Sequence, residues 1–470
     1  MTYADFLARK SEIAEPVGFR DPPPLPSALK PFQRAIVEWA LRRGRAAVFA
    51  NTGLGKTLMQ LAWARAIADV EEFPILLLCP LAVAQQTCEE AEKFGISGVA
   101  YARDQYRVKT DIVVTNYERF DKFDIEKFGG VVLDESGIIK SEDGKTRKAL
   151  TDACANVRWK LCCTATPAPN DYTELGQHAE FLDIMTAKEM LSMYFVHDGS
   201  IRAGDSASGD GWRLKGHARR AFWRWLASWA VVIRSPEDLG FDGAEYRLPP
   251  LRIEQVTVET EAKPRDGMLF PDEARTLRER IGARRDTIEE RCRRAAEIVA
   301  REPAEPWLVW CGLNAEADLM ETLIPGARQV AGRHDLDTKV SRLLGFKKGD
   351  PFHLVTKAGI AGHGMNYFHC SRAVFVGLND SFEQLYQAIR RCWRFGQERE
   401  VVVYLVASDR EGAVVANLKR KEQDFSAMQD AMAEHMRELM SENVRGIAPA
   451  RDAYDPQTKM ELPEWLMQNG

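Results

Sequence analysis

Short apolar runs alternate along the first half of the chain with segments in which apolar residues recur every three or four positions. The first recurrent segment covers residues 31–43 and has the spacing of one helix face. Continuous apolar runs of strand length, separated by helical segments, are typical of a parallel sheet that helices cover on both faces. The runs are AAVFA (46–50), ILLLCP (75–80), DIVVTN (111–116), GVVLDE (130–135) and KLCCTAT (160–166).

A second series of the same kind starts near Leu248. The whole pattern therefore predicts an α/β protein with two similar lobes in tandem, each built on a parallel sheet. The strand candidates of the second series are LRIEQVTVE (251–259), WLVWCG (307–312), FHLVTKA (352–358), AVFVGL (373–378) and VVVYLV (401–406). We expect a lead-in at 1–28, a first lobe at 29–247, a second lobe at 248–408, and a C-terminal helix and tail at 409–470.

Four segments depart from this alternation. The proline-rich stretch 21–31 is interpreted as a stiff linker, although a peptide ligand for an aromatic groove has the same composition. Residues 198–216, rich in Gly, Ser and Asp, predict an exposed loop or hairpin inserted in the first lobe. Aromatic residues at helical spacing in 221–234 indicate core packing rather than base stacking. The Arg- and Glu-rich stretch 272–300 is typical of a solvated helix face.

Composition excludes some classes of protein but leaves the function open. Hydrophobic residues make up 45% and charged residues 28% of the 470 positions, as in a globular protein. No apolar run is long enough to cross a bilayer and the first residues do not read as a signal peptide, so we expect a cytoplasmic location. The nine cysteines form no CxxC pair, which disfavours a zinc module and favours a reducing compartment. A net charge of −5 does not indicate nucleic-acid binding, but a local basic stripe would suffice for it.

A glycine-rich turn between a strand and a helix is the first candidate site. Residues 50–57 read ANTGLGKT, the strand–loop–helix setting of a phosphate-binding loop. The glycines at 53 and 55 let backbone N–H groups face a phosphate, Lys56 supplies a positive charge, and Thr57 offers a hydroxyl to Mg²⁺. Ala50 stands where the usual motif has its first glycine, so a chance glycine loop is the alternative. The ATP-binding candidates in this loop are Thr52, Gly53, Gly55, Lys56 and Thr57.

An acidic pair ends another predicted strand, in the run VVLDES at 131–136. Asp134 is the candidate to hold Mg²⁺, and Glu135 the candidate general base that polarises the attacking water. Two carboxylates at the end of an apolar strand are seldom structural, because an isolated buried charge is costly. With the phosphate loop, the pair predicts a magnesium-dependent nucleoside triphosphatase.

Several motifs follow one another in a fixed order from Leu29 to about Arg420. They are LKPFQ (29–33), ANTGLGKT (50–57), PLAVAQQTCEEAEKFG (80–95), VVTNYE (113–118), DESGIIKSEDGKTRKAL (134–150), TATPAPNDYTEL (164–175), TKAGIAGHGMN (356–366) and YQAIRRCWRFGQ (386–397). This series resembles superfamily 2 of helicases and translocases, and in particular its Swi/Snf-type branch. The chain is most similar to compact DEAD/DEAH-like members found in bacteria and their phages. The resemblance implies two tandem RecA-like lobes, with ATP bound in the cleft between them, in a bacterial or phage-infected cytosol.

The resemblance also implies roles for individual residues. Gln33 would read the adenine edge, Arg391 and Arg394 would reach the γ-phosphate from the second lobe, and Gln387 would lie beside them. Residues Thr164, Ala165 and Thr166 match the motif that couples hydrolysis to lobe movement. The residues that would contact nucleic acid are Pro80, Gln86, Thr115, Asn116, Thr356 and Lys357.

The sequence departs at three places from the pattern that it resembles, which favours a divergent subfamily over an inactive one. Ser136 and Gly137 follow the acidic pair where the branch has Ala and His, which puts in doubt the usual link between the metal site and the coupling motif. Arg390 stands where the branch often has Asp, and Trp393 where it often has His.

Taken together, the motifs predict an ATP-driven motor that moves along nucleic acid, with duplex DNA favoured over single strands or RNA. A strand-separating DNA or RNA helicase is the first alternative. The second is a nucleotide-gated module that binds a partner protein, for which the tail at 451–468 and the Trp-rich segment are candidate docking surfaces.

Overall fold

Two parallel sheets, one after the other along the chain, form the framework of the molecule. The computed structural model describes residues 14–430 except 72, 141–143, 170, 198–211, 260–281, 283, 362–364, 379–380, 413, 424–425 and 428. The predicted tail at 451–468, most of the predicted inserted loop and part of the charged stretch lie outside these residues. No helix in the described part of the chain is both long enough and apolar enough to cross a membrane.

The first sheet has seven parallel strands in the order β3-β4-β2-β5-β6-β1-β9. Its central strands are buried along their whole length, which explains why they read as continuous apolar runs in the sequence. A separate antiparallel pair, β7–β8, flanks the gap at 198–211. The strands are β1 (Arg45–Ala50), β2 (Ile75–Cys79), β3 (Val99–Tyr101), β4 (Ile112–Asn116), β5 (Gly130–Asp134), β6 (Trp159–Thr164), β7 (Phe195–His197), β8 (Trp212–Leu214) and β9 (Ala230–Ile233).

Local sequence features explain where the helices that connect these strands begin and end. The first begins with Pro31, whose missing N–H costs nothing at a helix start, and ends at Gly44 with φ of 74°. The helix after the phosphate loop is buried on nearly all sides and lies in the centre of the lobe. The helices are α1 (Pro31–Arg43), α2 (Lys56–Ala68), α3 (Leu81–Lys93), α4 (Lys145–Ala153), α5 (Leu175–Phe181), α6 (Ala187–Tyr194) and α7 (Arg219–Ala227).

The second sheet has six parallel strands in the order β10-β15-β14-β11-β13-β12. They are β10 (Leu251–Val258), β11 (Trp307–Cys311), β12 (Ala327–Val330), β13 (His353–Thr356), β14 (Arg372–Val376) and β15 (Val401–Ser408). The helices of this lobe are α8 (Ile288–Val299), α9 (Asn314–Leu323), α10 (Leu336–Lys348), α11 (Ala358–Ala361) and α12 (Phe382–Ile389), and residues 414–423 are also helical. The predicted α/β fold class, with two tandem lobes each built on a parallel sheet, is confirmed.

The Trp-rich segment is part of the core, as its spacing predicts. Phe222, Trp225, Leu226 and Trp229 are all buried, and the first three lie on α7. Trp225 packs edge-on against Trp229 with ring centroids 5.2 Å apart, and Trp229 in turn packs against Phe49 of β1. These rings therefore hold α7 and β9 against the edge of the first sheet.

The interpretation of the Arg- and Glu-rich stretch is wrong at one residue. Arg293 and Arg294 of α8 pair with acidic residues on the same exposed helix face, as expected. Arg291, however, is fully buried, because its guanidinium lies between Glu316 of α9 at 2.8 Å and Glu411 after β15 at 3.4 Å. Two carboxylates around one buried cation compensate its loss of hydration, so this cluster ties three elements of the second lobe together.

Candidate active site

The phosphate loop, the acidic pair and the coupling motif meet at one edge of the first sheet. They follow β1, β5 and β6, which are adjacent and parallel. Phe49 of β1 is in register with Thr164 of β6, and Asp134 of β5 is in register with Cys163. Because parallel strands end at the same edge, segments far apart in the sequence converge there.

Two glycines shape the phosphate loop. Gly53 and Gly55 have φ of 96° and 77°, in the region that other residues rarely adopt, and Gly55 caps the N-terminus of α2. The Lys56 ammonium donates to the carbonyl oxygen of Ala50 at 2.7 Å and lies along its own loop. Burial lowers the pKa of Lys56, while the nearby charges of Glu135 and Asp134 raise it. A half-buried cation at a helix N-terminus is well suited to receive a phosphate.

Gln33 lies against the same loop. Its side-chain amide donates to the carbonyl oxygen of Leu54 at 2.9 Å and accepts the backbone N–H of Lys30 at 2.9 Å. A Cβ atom on Gly55 would come within 2.3 Å of the Gln33 Nε2, so a side chain at 55 would displace this amide. Gln33 thus positions the loop, and its contact with an adenine edge stays a prediction.

The Asp134 carboxylate is buried and accepts a hydrogen bond from Gln60 of α2 at 2.6 Å. Burial, together with the charge of Glu135, raises the pKa of Asp134 to about 6, and the hydrogen bond from Gln60 opposes this shift. Tyr117 donates to the Asp134 carbonyl oxygen at 2.7 Å and fixes the strand end. Gln60 was not predicted from the sequence, although an amide within an otherwise apolar stretch of helix is a signal for it.

Glu135 has a left-handed backbone, with φ of 52° and ψ of 51°. The turn directs its carboxylate toward the coupling motif, where the Thr164 hydroxyl donates to it at 3.4 Å. The Thr164 Oγ1 in turn accepts the backbone N–H of Thr166 at 3.1 Å. Thr164 therefore connects the acidic pair to the coupling motif, although Gly137 stands where the resemblance predicts a histidine.

A histidine from another element lies beside the acidic motif instead. His178 of α5 is fully buried, and its Nε2 lies 3.1 Å from the Ser136 hydroxyl. Burial lowers the pKa of His178 to about 4, so the ring is neutral at physiological pH. Ser136, which departs from the family pattern, is accommodated by this contact.

The two predicted arginines of the second lobe face this site. The acidic residues Glu135 and Asp134 are close enough to raise the pKa of Arg391, although burial lowers it by more. Burial and the charge of Arg391 lower the pKa of Arg394 to about 10. Within the described part of the chain, the Nε atoms of both arginines are buried without a hydrogen-bond partner. Unsatisfied cationic donors next to the phosphate loop fit an anionic ligand held between the lobes.

Direct contacts join the lobes around the loop. Phe395 packs on Gly53 so closely that a Cβ atom there would lie 2.9 Å from the Phe395 Cβ. Tyr246, in the connection between the two sheets, packs against Phe395 and Phe32 with centroid distances of 5.1 and 5.4 Å. These aromatic residues were not predicted, because their contact depends on how the two lobes come together.

The other two departures from the family pattern contact each other. The Arg390 guanidinium lies 4.3 Å from the ring centroid of Trp393 and 5.0 Å from that of Tyr386. Trp393 donates its indole N–H to the Pro249 carbonyl oxygen at 2.7 Å, next to the start of β10. Arg390 and Trp393 therefore form one packing unit of the second lobe.

The residues predicted to contact nucleic acid differ in how deeply they are buried. Thr115 and Thr356 are fully buried, and the Thr356 hydroxyl donates to Val330, so their side chains do not face solvent. Contact with nucleic acid stays a prediction for these two residues. Asn116 is also nearly buried and bonds Tyr101 and Glu118. Partial exposure leaves the prediction open for Pro80, Gln86 and Lys357.

Comparison with known proteins agrees with this geometry. Residues 32–224 match the family model of the SNF2-related domain. The chain is 30% identical over 178 residues to the mouse "DNA annealing helicase and endonuclease ZRANB3" (34% of this chain, 16% of that protein). It is 32% identical over 178 residues to protein p41 of Acyrthosiphon pisum secondary endosymbiont phage 1 (33% of this chain, 39% of that protein).

A longer match extends over both lobes. The chain is 23% identical over 449 residues to the "SWI/SNF-related matrix-associated actin-dependent regulator of chromatin subfamily A-like protein 1" of Drosophila melanogaster (88% of this chain, 57% of that protein). The matches thus span only part of each of these relatives. Residues 32–224, most of the first lobe, thus match the SNF2-related domain, and the resemblance to the Swi/Snf-type branch of superfamily 2 is confirmed.

Proposed function

We propose that the chain hydrolyses ATP and uses the energy to move along DNA, with duplex DNA as the favoured track. The observation that supports this proposal is that a phosphate loop, an acidic pair and two arginines lie together at one edge of the first sheet. A phosphate loop with Lys56 and an acidic pair come from the first lobe. The second lobe contributes two arginines whose Nε atoms have no hydrogen-bond partner among the residues that the structure describes. Such a site can sense and hydrolyse a nucleotide only when both lobes contribute.

The first lobe would bind the nucleotide. Lys56, released from the Ala50 carbonyl oxygen, would meet the β- and γ-phosphates, and backbone N–H groups of the loop from Thr52 onward would surround them. The Thr57 hydroxyl and the Asp134 carboxylate would hold Mg²⁺, whose charge would neutralise phosphate oxygens. Gln60 keeps Asp134 oriented for this task.

Residues of both lobes would then act on the reaction. Glu135 would accept a proton from the attacking water, and Gln387 would lie beside that water or the γ-phosphate. Arg391 and Arg394 would stabilise the charge that builds up on the transferred group. Since both arginines belong to the second lobe, hydrolysis would require closure, and product release would allow the lobes to separate.

Movement along nucleic acid would follow from this cycle. In the inchworm that we propose, closure shifts one lobe along the phosphate backbone and reopening lets the other lobe follow. Lys357, Gln86 and Pro80 are the partly exposed candidates for these contacts. Such contacts go to phosphates, so they would carry no sequence preference. The names of the mouse and fly relatives, which refer to DNA and chromatin, support DNA as the track.

The test is steady-state ATP turnover by wild type and by Glu135→Gln, each without nucleic acid and with single-stranded DNA, duplex DNA or duplex RNA. We expect strong stimulation by duplex DNA in the wild type and none in the variant. The variant should still bind ATP, because its phosphate loop is intact. A melting curve with and without ATP and Mg²⁺ checks that both proteins fold and bind.

Other outcomes would select the alternatives. Stimulation by single strands or RNA alone would favour a strand-separating helicase, and strand displacement measured against triplex displacement would then decide. A basal rate that no nucleic acid changes would favour a nucleotide-gated module for a partner protein. Turnover that Glu135→Gln leaves unchanged would exclude the proposed site.

A further inference from the structure

The first turn of α12, in the second lobe, contacts the coupling motif of the first lobe. Glu383 forms an ion pair with Lys140, just after the acidic motif, and both side chains are about three-quarters buried, with 21% and 25% exposed. The other carboxylate oxygen of Glu383 accepts the Thr166 hydroxyl at 3.5 Å. One side chain of the second lobe thus binds two functional segments of the first.

The contact continues to the proposed general base. Thr166 donates its backbone N–H to the Thr164 Oγ1 at 3.1 Å, and the Thr164 hydroxyl donates to Glu135 at 3.4 Å. A continuous series of hydrogen bonds therefore leads from Glu135 through the coupling motif to Glu383. Thr164 and Thr166 are fully buried, so water does not compete for these bonds.

The same helix leads to the groups that would reach the nucleotide. Gln387 is one turn after Glu383 and lies on the same face of α12, and Arg391 follows two residues after the helix ends, where its N–H donates to the Ala388 carbonyl oxygen at 3.2 Å. A helix turn is rigid over this length, so the position of Glu383 determines where Gln387 lies relative to Glu135, and it also sets the start of the hydrogen-bonded turn that carries Arg391. An error of about 1 Å in such a position can lower a rate by about 100-fold.

The residue at 137 leaves room for this arrangement. A Cβ atom on Gly137 would lie 3.4 Å from the Glu383 carboxylate and 3.6 Å from the Thr166 carbonyl oxygen. These are ordinary van der Waals distances, so position 137 lies directly against the Glu383 carboxylate and its lack of a side chain keeps this contact open. The small residue and the glutamate are mutually compatible.

We propose that Glu383 is a positioning residue that clamps α12 to the coupling motif when the lobes close, and so aligns Gln387 and Arg391 with Glu135. The clamp consists of Glu383, Lys140 and Thr166. It rests on the proposed ATP hydrolysis but goes beyond it, because it assigns the coupling between the lobes to a contact outside the nucleotide site. An exposed ion pair would contribute little, whereas this partly buried pair is bonded into a network.

The experiment compares Glu383→Gln, Lys140→Met and the double variant with wild type, with duplex DNA present. We expect each single variant to lower kcat for ATP about 10-fold or more, with the KM for ATP and the affinity for a fluorescent ATP analogue changed less than about two-fold. If the clamp acts as a unit, the double variant should be no slower than the slower single variant. Glu297→Gln, which breaks an exposed ion pair of α8, is the matched control and should leave kcat unchanged.

Melting temperatures of all variants separate a folding defect from a kinetic one. A kcat of Glu383→Gln within two-fold of wild type would overturn the clamp, and so would losses that multiply in the double variant. A large rise in KM with unchanged kcat would also overturn it, because that result would place Glu383 in nucleotide binding. If wild type itself shows no ATP turnover, the proposed function fails instead, and the two failures are thereby distinguished.

Discussion

At the scale of single residues, the site is built from polar side chains that are buried but held by specific partners. Gln60 on Asp134 and His178 on Ser136 are examples. Neither belongs to a motif that the sequence displays, and each lies on an element different from that of the residue it contacts. A buried polar group without such a partner would be costly, so these contacts are needed where the acidic motif is buried.

Gln60→Leu should lower ATP turnover about 10- to 100-fold, the usual effect of removing a side chain that orients a metal ligand, if Asp134 holds Mg²⁺ as proposed. Asp134 would lose its hydrogen bond at 2.6 Å and with it a fixed orientation. Turnover measured over a range of Mg²⁺ concentrations checks this. Gln60→Glu would place a third carboxylate at the site and should be slower still, so similar rates for wild type and both variants would contradict the assignment.

His178→Gln should flatten the dependence of stability on pH. The folded protein keeps His178 neutral down to a pKa of about 4, while the unfolded chain takes up a proton near 6.5. Below pH 6.5 protons therefore favour the unfolded state, so wild type loses stability as pH falls from 6.5 to 4, by up to about 3 kcal/mol from this group. The charge of Lys140 acts in the same direction.

Denaturant unfolding of wild type and His178→Gln at a series of pH values isolates the contribution of His178 to the free energy of unfolding, because the other groups titrate equally in both proteins. We expect the difference between the two proteins to change with acidification in favour of the variant. Parallel curves from pH 6.5 to 4 would contradict a neutral buried ring.

At the scale of elements, each functional segment is held in place by the helix or strand that carries it. Helix α12 ends at Ile389, and the Tyr367 N–H, in the loop before β14, then donates to the Arg391 carbonyl oxygen at 2.9 Å and holds the segment that carries the arginines. The aromatic residues around α7 support the far edge of the first sheet.

Arg391→Ala should reduce ATP turnover about 1000-fold or more while ATP binding persists, because in the proposed mechanism this arginine stabilises negative charge that develops in the transition state. Turnover and equilibrium binding of a fluorescent ATP analogue measure the two effects separately. Arg390→Ala removes a neighbouring arginine that stacks on Trp393 and serves as the control. Unchanged turnover in Arg391→Ala would remove this residue from the proposed mechanism.

Trp229→Ala should destabilise the protein by about 3–5 kcal/mol, since it leaves a large cavity against Phe49 and Trp225. The KM for duplex DNA in the ATPase assay should stay unchanged well below the melting temperature. Tyr106→Ala, at a ring that is 94% exposed, should change stability by less than about 0.5 kcal/mol. A raised KM for DNA with unchanged stability would restore the base-stacking alternative.

At the scale of the whole molecule, the architecture could be predicted from the sequence and its detailed contacts could not. Buried parallel strands produce apolar runs, and Pro31 and Gly44 mark the ends of α1, so these elements are visible locally. β12 (Ala327–Val330) was missed because polar residues interrupt its short run. The clamp between Lys140 and Glu383 joins residues 243 positions apart, and only the arrangement of the two lobes brings them together.

Binding to duplex DNA should weaken steeply with salt, although the chain carries a net charge of −5. Contacts with phosphates release counterions, and each contributes a slope of about −0.9 to the plot of log affinity against log salt. Lys357→Ala should reduce that slope by about one and weaken all duplex sequences alike. Fluorescence anisotropy over a salt series measures both, and an unchanged slope would remove Lys357 from the interface.

The left-handed backbone of Glu135 places the proposed function in conflict with stability. Glu135, a charged residue, is held at φ of 52° next to the buried carboxylate of Asp134, and both conditions are unfavourable. Asparagine tolerates this conformation better than glutamine does, and neither carries the charge. Glu135→Asn should therefore melt at a higher temperature than Glu135→Gln, and both higher than wild type, while neither hydrolyses ATP. Selection for a motor would then have maintained a less stable chain than selection for the fold alone.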